Sequence, residues 1–147
     1  GFLSLTSSTN LEVFPLKKDR LLCLVPDSHP LSKYDQIEFS QIEDEPFIMP
    51  KYTIDSDVRH LFKVHKIKPK IKYEIEEDQA IISMVQNNIG ISILPEMILY
   101  RMPENIRAIQ IEGDYYRSIG IVAVSFKHIS PGAKKLIEFI QEWLKDE

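Results

Sequence analysis

An almost unbroken apolar run, RLLCLV at residues 20–25, is the feature that most constrains the fold. Five successive apolar residues without polar alternation are typical of a strand that is buried on both faces. Such strands occur mainly in α/β proteins, where helices cover both faces of a sheet. Strand-like and helix-like segments alternate along the rest of the 147 residues. An α/β fold with a mainly parallel or mixed sheet is therefore expected.

Three segments carry helical signals. One helix is predicted from Asp55, and a second is predicted over QAIISMVQNN with Asp78 as its N-cap. A third begins after Ser130, which serves as an N-cap before Pro131 in the first helical position. The third helix carries an apolar stripe at helical spacing, formed by Leu136, Ile137, Ile140, Trp143 and Leu144.

The stretch NNIGISILPE, Asn87 to Glu96, connects the second helix to the elements that follow. Asn88 and Gly90 predict a helix end that turns through positive φ. The next residues, Ile91 to Leu94, form a short buried strand, and Pro95 then starts a new helix, where its missing N–H costs nothing. A helix, a strand and another helix are thus compressed into a minimal length.

A half-exposed strand is predicted before the second helix, because Ile71, Tyr73 and Ile75 alternate with charged residues. Alternation of this kind is typical of a strand with one wet face and one buried face. The neighbouring carboxylates from Glu74 to Asp78 are then read as a solvated surface and a helix cap. A catalytic or cation-binding role for them is disfavoured.

The net charge of −4 and the pI near 5.6 argue against DNA binding by this chain alone, since nucleic-acid-binding domains usually carry a basic excess. Cys23 is the only cysteine, so a buried thiol in a reducing, cytoplasmic setting is expected. No apolar run reaches the ~20 residues needed to span a bilayer, so neither membrane insertion nor secretion is expected. The opening residues, GFLSLT, read as the middle of a strand and suggest a fragment of a longer protein.

No catalytic residue, metal or cofactor is predicted. His60 and His65 are five residues apart and point in different directions on a helix, so they cannot chelate one ion. The five glycines form neither a phosphate-binding loop nor a dinucleotide fingerprint. The basic run from Lys63 to Lys72 is interpreted as solvated surface, because acidic residues follow it directly.

The segment PFIMPKYTIDSD is the strongest candidate for a binding site, because it lies between a buried strand and a helix N-terminus. Ligands of open α/β folds collect at such positions, and the N–H groups of a helix start favour an anion. Lys51 would add a positive charge, and Thr53 and Ser56 would add hydroxyl groups. The alternative is that Thr53, Asp55 or Ser56 only caps the helix.

Four segments together resemble the effector-binding domain of LysR-type transcriptional regulators in their order and spacing. They are LLCLVPDSHPLS, DEPFIM, DQAIISMVQNNIGISILPE and SPGAKKLIEFIQEW. The resemblance implies a two-lobed fold like that of type II periplasmic binding proteins, with a small effector in the cleft between the lobes. It divides the chain into a partial first lobe with a crossover at 1–46, a second lobe at 47–118, and a return crossover with the last helix of the first lobe at 119–147.

The resemblance also implies which residues face the effector. Ser4 and Thr6 would lie on one side of the cleft, and the other side would carry Met49, Pro50, Lys51, Tyr52, Thr53 and Ser56. The opening part of the first lobe and the family's winged helix-turn-helix have no counterpart in the 147 residues. DNA contact is therefore expected only through a helix-turn-helix domain outside them, and self-association as a dimer or tetramer is expected of the full-length protein.

The expected function is that of a ligand-sensing regulatory domain without catalysis. Lys51 and the adjacent helix start favour an anionic effector, such as an organic acid or an amino acid. Three alternatives stay open at this stage. A solute-binding protein of a transport system would carry an export leader, an enzyme on the same two-lobed scaffold would need convergent acid–base groups, and a protein-interaction domain would show an apolar surface patch.

Overall fold

The computed structural model describes residues 2–4, 12–51, 57–113, 115–123 and 126–145. The chain combines strands with α-helices, and 3₁₀ turns separate several of the strands. The strands are β1 (Phe2–Ser4), β2 (Glu12–Pro26), β3 (Gln36–Ile37), β4 (Pro46–Pro50), β5 (Lys70–Ile75), β6 (Ser92–Pro95), β7 (Ile106–Ile111) and β8 (Tyr116–Ala123). The α-helices are α1 (Asp57–Val64), α2 (Asp78–Gln86) and α3 (Pro131–Lys145), and 3₁₀ turns occupy Pro30–Lys33, Phe39–Ile42, Glu96–Leu99 and Phe126–His128.

The chain divides into two compact units. Residues 19–116 form the larger unit, called the central unit below, and residues 1–18 with 117–147 form the terminal unit. The chain passes from one unit to the other within β2 and again at the start of β8. The central unit includes residues 19–46, which the resemblance assigned to the first lobe and its crossover. The lobe bounds at 46 and 118 stay a prediction.

Strand pairing in the central unit explains why the run at residues 20–25 is apolar throughout. The second half of β2 pairs antiparallel with β6 on one side and with β7 on the other, so that Cys23 lies opposite both Ile93 and Ile109. Each residue from Leu21 to Val25 is at most 8% exposed. A strand with neighbours on both sides and cover on both faces has no position that favours a polar side chain. The prediction of a doubly buried strand is confirmed.

The two faces of β2 belong to two separate hydrophobic clusters. Leu21, Cys23 and Val25 pack in the cluster that includes α1 and the 3₁₀ turn at Phe39–Ile42. The intervening residues, Leu22 and Leu24, pack in the cluster that α2 supplies. The strand period of two sends successive side chains to opposite faces, so one short run anchors both layers.

β4 has two parallel neighbours in the central unit. β4 runs parallel to β5, with Met49 opposite Glu74. It also runs parallel to the chain that enters β6, through a bridge between Phe47 and Ile91. The Oγ of Ser92 is fully buried and donates a hydrogen bond to the carbonyl of Ile48 at 2.7 Å, which fastens β6 to β4.

The start of α2 differs from the prediction. Its N-cap is Glu77, whose carboxylate accepts the N–H groups of Gln79 and Ala80, each at 3.1 Å. Asp78, predicted as the cap, is the first residue of the helix. The longer glutamate side chain reaches the free N–H groups from one position earlier, and it leaves Asp78 in the first turn, where the helix dipole also favours a negative charge.

The end of α2 corrects the reading of NNIGISILPE. Asn88 adopts positive φ, at 62°, as predicted, but Gly90 does not. Gly90 is required for a different reason, because a Cβ there would lie 2.8 Å from the carbonyl oxygen of Pro46. Pro95 is the last residue of β6 rather than the first of a helix, and a 3₁₀ turn follows it. Ile89 lies beyond the helix end and is 40% exposed.

The buried face predicted for β5 is also corrected. Ile71 and Tyr73 are 37% and 50% exposed, and Ile75 is half-buried. β5 pairs with β4 along one edge in the described part of the chain, so its apolar residues have little cover. The alternation of apolar and charged residues predicted the strand correctly. It could not predict whether another element would cover the apolar face.

The terminal unit contains β1, which pairs antiparallel with β8, and α3. Pro131 is the first residue of α3, and the Oγ of Ser130 accepts the N–H of Ala133 at 3.1 Å. The predicted start and N-cap of this helix are therefore confirmed. No residue of α3 is buried, although the helix carries the predicted apolar stripe.

Candidate functional site

The carboxyl ends of parallel strands meet at one edge of the central unit. β4, β5 and β6 run in the same direction and end at Pro50, Ile75 and Pro95. We call this boundary the carboxyl edge and define it by Pro50–Lys51, Ile75–Glu77 and Pro95–Met97. Ligands of open α/β sheets bind outside the carboxyl ends of the strands, so this edge is the candidate site.

Lys51 is the first residue after β4 and is exposed to solvent. Its N–H donates a hydrogen bond to the carbonyl of Ile75 at 2.8 Å, so the backbone at this position is fixed against the end of β5. The two residues before it are enclosed. Met49 is fully buried in the core cluster that also holds Phe47, and Pro50 is buried as well. Among the predicted site residues whose side chains are described, only Lys51 is open to solvent.

The other predicted site residues are Ser4, Thr6, Tyr52, Thr53 and Ser56. The backbone of Ser4 lies in β1, while its side chain is outside the description. Thr6, Tyr52, Thr53 and Ser56 lie outside the described residues. The structure brings Met49, Pro50 and Lys51 together at the carboxyl edge, and the roles of all eight residues stay predictions.

Two buried carboxylates of the central unit were not found from the sequence. Asp19 is 3% exposed, and its Oδ1 accepts the N–H of Met97 at 3.1 Å, which ties the start of the central unit to the turn after β6. Asp57 is 9% exposed and occupies the first turn of α1. The sequence held one signal for a partner of Asp19. This residue directly precedes the apolar run at residues 20–25, and a charged residue buried at the start of a strand needs a hydrogen-bond partner.

An aromatic cluster lies at the other end of α1. His65 Nδ1 lies 2.9 Å from the carbonyl oxygen of Leu61, which can only accept, so Nδ1 carries a proton. In the neutral ring, Nε2 then accepts a hydrogen bond from the hydroxyl group of Tyr115, and the oxygen and Nε2 are 2.5 Å apart. The ring of Phe39 packs against both, with centroid distances of 4.8 Å to His65 and 5.8 Å to Tyr115.

Tyr115 also connects to β2 through its backbone. Its carbonyl accepts the N–H of Leu21 at 2.8 Å, and the next residue, Tyr116, begins β8. The C-terminal end of α1 is therefore joined to both strands through which the chain leaves the central unit. The sequence placed His65 on a helix face but held no signal for its pairing with a residue fifty positions away.

Cys23 is fully buried, as predicted. Burial, with a smaller contribution from the negative charge of Glu45, raises the pKa of the Cys23 thiol from 9.0 to about 12. A thiol with such a pKa is protonated at neutral pH, and it is not a nucleophile there. Cys23 is therefore a core residue.

The described ranges contain no group of three or more His, Cys, Asp and Glu side chains that could hold a metal ion. No helix in the same ranges is long and apolar enough to cross a membrane.

The sequence matches the family model of the LysR substrate binding domain over residues 2–145. The chain belongs to this family. Its relatives include two uncharacterized HTH-type transcriptional regulators of Bacillus subtilis (strain 168). YvbU is 27% identical over 134 residues, which is 90% of this chain and 46% of YvbU. YybE is 27% identical over 139 residues, 93% of this chain and 48% of YybE.

The LysR-type chain thus spans about half the length of the curated relatives it matches. Those relatives are transcriptional regulators, so the predictions of a regulatory domain and of no enzymatic activity are confirmed at the level of the family.

Solved structures agree with this assignment. The effector binding domain of QuiR in complex with shikimate is 29% identical, with a TM-score of 0.81, over 99% of this chain and 71% of that domain. The regulatory domain of CcmR from Synechocystis PCC6803, in complex with 2-PG, matches with a TM-score of 0.85 at 20% identity, over 98% of this chain and 72% of that domain. The predicted fold class, that of LysR effector-binding domains with a type II periplasmic-binding-protein-like fold, is confirmed.

Proposed function

We propose that this LysR-type domain binds a small effector at the carboxyl edge of the central unit and thereby regulates transcription. The full-length regulator would act in the cytoplasm as a dimer or tetramer and contact DNA through a helix-turn-helix domain. The observation that carries the proposal is the family match over residues 2–145, supported by the similarity to a QuiR domain that holds shikimate.

The proposed effector is a carboxylate or another anion. Lys51 supplies an exposed positive charge directly at the end of β4, and α1 begins six residues later. The N–H groups at the start of α2 are engaged by Glu77, so α2 is already satisfied without a ligand. Lys51 is then the described residue of this edge that favours an anion. Shikimate, the ligand of the QuiR domain, is itself a carboxylate.

The proposed response is a shift between conformations of the domain. An effector changes such an equilibrium only by its differential affinity for the two states. A ligand bound before α1 would act on a helix whose far end is hydrogen-bonded, through His65, to Tyr115. Tyr115 in turn holds Leu21 of β2 and precedes β8. Through these contacts, effector binding would be coupled to β2 and β8, the two strands through which the chain passes between the units.

The test is a binding screen of the complete gene product with shikimate, other organic acids and amino acids, read by calorimetry. We expect Lys51→Gln to weaken binding of the best anion about tenfold or more, because a hydrogen bond to a charged group contributes roughly 1.5–3 kcal/mol. Lys72→Gln, which removes another exposed positive charge, from β5, is the control and should leave affinity unchanged. Binding of uncharged compounds alone, or equal losses in both variants, would contradict the proposal.

Thr53→Ala and Ser56→Ala test the hydroxyl groups predicted for the same segment. We expect each to weaken the effector response while the melting temperature stays nearly unchanged. The competing interpretation is helix capping, for which replacement by alanine costs about 0.5–2 kcal/mol of stability. A loss of stability as large as the loss of response would therefore assign these residues to the cap of α1.

A further inference from the structure

Charged residues of alternating sign occupy neighbouring strands at the carboxyl edge. β5, β4, β6 and β2 lie side by side in the central unit, and β2 passes this edge in the opposite direction. The charged residues that stand at the edge are Glu76 after β5, Lys51 after β4, Glu96 after β6, and Arg20 of β2, directly before the partner of Pro95. Because neighbouring strands lie about 4.8 Å apart, each cation of this row has a glutamate on an adjacent strand.

Lys51 and Glu76 are the best-defined pair in this row. Pro50 and Ile75 lie opposite each other in the parallel pairing of β4 and β5, and the N–H of Lys51 donates to the carbonyl of Ile75 at 2.8 Å. Lys51 and Glu76 therefore leave the two strands at neighbouring positions. Both are exposed, and within the described ranges neither side chain forms an ion pair. Their charges can therefore both be used by a ligand.

Two other carboxylates at this edge are already engaged by the protein. Glu77 accepts two N–H groups at the start of α2, and the buried Asp19 accepts the N–H of Met97. Glu76 and Glu96 are exposed instead. The negative charge that a ligand meets beside Lys51 thus comes from these two glutamates, one on the strand to each side.

An alternating row of charges distinguishes between classes of effector. An anion without a positive group would be attracted by Lys51 but repelled by Glu76 and Glu96, and at similar separations these Coulomb energies are of the same order. A dianion that reached both Lys51 and Arg20 would pass over Glu96, which lies between them. An ammonium group beside the carboxylate of the ligand converts the repulsion by Glu76 into an attraction.

We propose that the effector is a zwitterion of the α-amino acid class, whose carboxylate binds Lys51 and whose ammonium group binds Glu76. This inference rests on the proposed function and narrows its carboxylate effectors to those that also carry an ammonium group. An α-amino acid holds both groups on one carbon, so two residues at neighbouring strand ends can bind it together. Each contact is a charge-assisted hydrogen bond, the stronger kind.

Matched pairs of ligands test the ammonium group directly. Calorimetry on the complete gene product would compare the proteinogenic L-amino acids with the 2-hydroxy acids of the same side chains, in which a hydroxyl group replaces the ammonium. We expect at least one amino acid to bind, and its 2-hydroxy acid to bind about tenfold or more weakly, because the hydrogen bond between two charged groups is lost.

Variants of the two residues test the protein side of the same contact. Glu76→Gln should weaken binding of the amino acid about tenfold or more, and it should leave binding of the 2-hydroxy acid unchanged or stronger, because it removes a repulsion. Lys51→Gln should weaken binding of both compounds. Glu104→Gln is the control, since Glu104 is an exposed carboxylate before the start of β7, at the opposite edge, and it should change neither affinity.

Three outcomes would overturn the inference: a 2-hydroxy acid that binds as tightly as its amino acid, a ligand preference that Glu76→Gln leaves unchanged, or no binding of any amino acid. If another anion then binds and depends on Lys51, the proposed function stands and only this inference is refuted. If no organic acid or amino acid binds at all, both are refuted. A Glu76→Gln variant that loses stability without a change in ligand preference would assign Lys51 and Glu76 to a cross-strand charge pair.

Discussion

α2 and α3 are both amphipathic helices, yet they lie in different environments. α2 has nine residues and buries Ile81, Ile82 and Val85 against the strands of the central unit. α3 has fifteen residues, a longer apolar pattern and no buried residue. An apolar stripe therefore shows only that one side of a helix can be buried. Burial itself also requires a partner surface.

Truncation of one apolar side chain on each helix tests this contrast most strongly. Ile81 is fully buried, so Ile81→Ala should cost about 2–5 kcal/mol through lost transfer energy and a residual cavity. Leu136 is 56% exposed, so Leu136→Ala should change the stability of the 147-residue chain by no more than about 0.5 kcal/mol. Urea unfolding measures both. Comparable costs at the two positions would show that α3 is covered in this chain.

The pH dependence of stability sharpens the account of the central core. The raised pKa of Cys23, about 12 against 9.0 in its ordinary state, means that the folded protein holds the thiol proton more tightly than the unfolded chain does. The stabilisation is complete below pH 9 and is lost progressively as pH rises towards 12.

Cys23→Ala isolates this contribution from other groups that titrate at alkaline pH. The stability difference between wild type and variant should be constant from pH 7 to 8.5 and shrink above pH 9. A difference that stays constant to pH 11 would contradict the burial of the thiol. In the terminal unit no cysteine exists, so no corresponding loss is expected there.

Glycine replacement compares the backbone environments of the two helices. Gly90 follows α2, and a Cβ there would lie 2.8 Å from the carbonyl oxygen of Pro46, so Gly90→Ala should destabilise by about 1–3 kcal/mol. Gly132 lies in the first turn of α3, where the nearest atom to a Cβ would be 4.0 Å away. Gly132→Ala should therefore stabilise by about 0.5–1 kcal/mol. Thermal unfolding of both variants provides the measurement, and a tolerated Gly90→Ala would disprove the close approach.

The helix caps should show the smallest difference between the two regions, because capping is local. Glu77→Ala and Ser130→Ala each remove an acceptor of backbone N–H groups and should cost about 0.5–2 kcal/mol. Asp78→Ala is the control at α2 and should cost less, since Asp78 is not the cap. A larger effect at Asp78 than at Glu77 in chemical denaturation would restore the capping role predicted from the sequence.

Much of the fold was predictable because its signals are local. The doubly buried strand at residues 20–25 follows from an unbroken apolar run, and the start of α3 follows from Ser130 and Pro131. The resemblance to the family was read from segments such as DQAIISMVQNNIGISILPE, and the family model over residues 2–145 confirms it. Each of these inferences depends on residues close together in the sequence.

The candidate site was predictable only in part. The position after β4 followed from a general property of α/β sheets, and it identified Lys51 as an exposed charge at the strand end. Asp19 and its hydrogen bond to Met97 were not predictable, because the two residues are 78 positions apart. The same holds for the His65–Tyr115 pair at the end of α1.

By itself the sequence determined the order of strands and helices, the apolar faces that they carry and the family to which the chain belongs. Only the tertiary structure decided which of those faces is covered. It decided that Gly90 serves a close approach to Pro46 rather than a positive φ, and that Ile71 and Tyr73 of β5 are exposed. The physical reason is that hydrogen bonding within an element is set by neighbouring residues, whereas burial and side-chain pairing depend on surfaces that the chain brings together from distant positions.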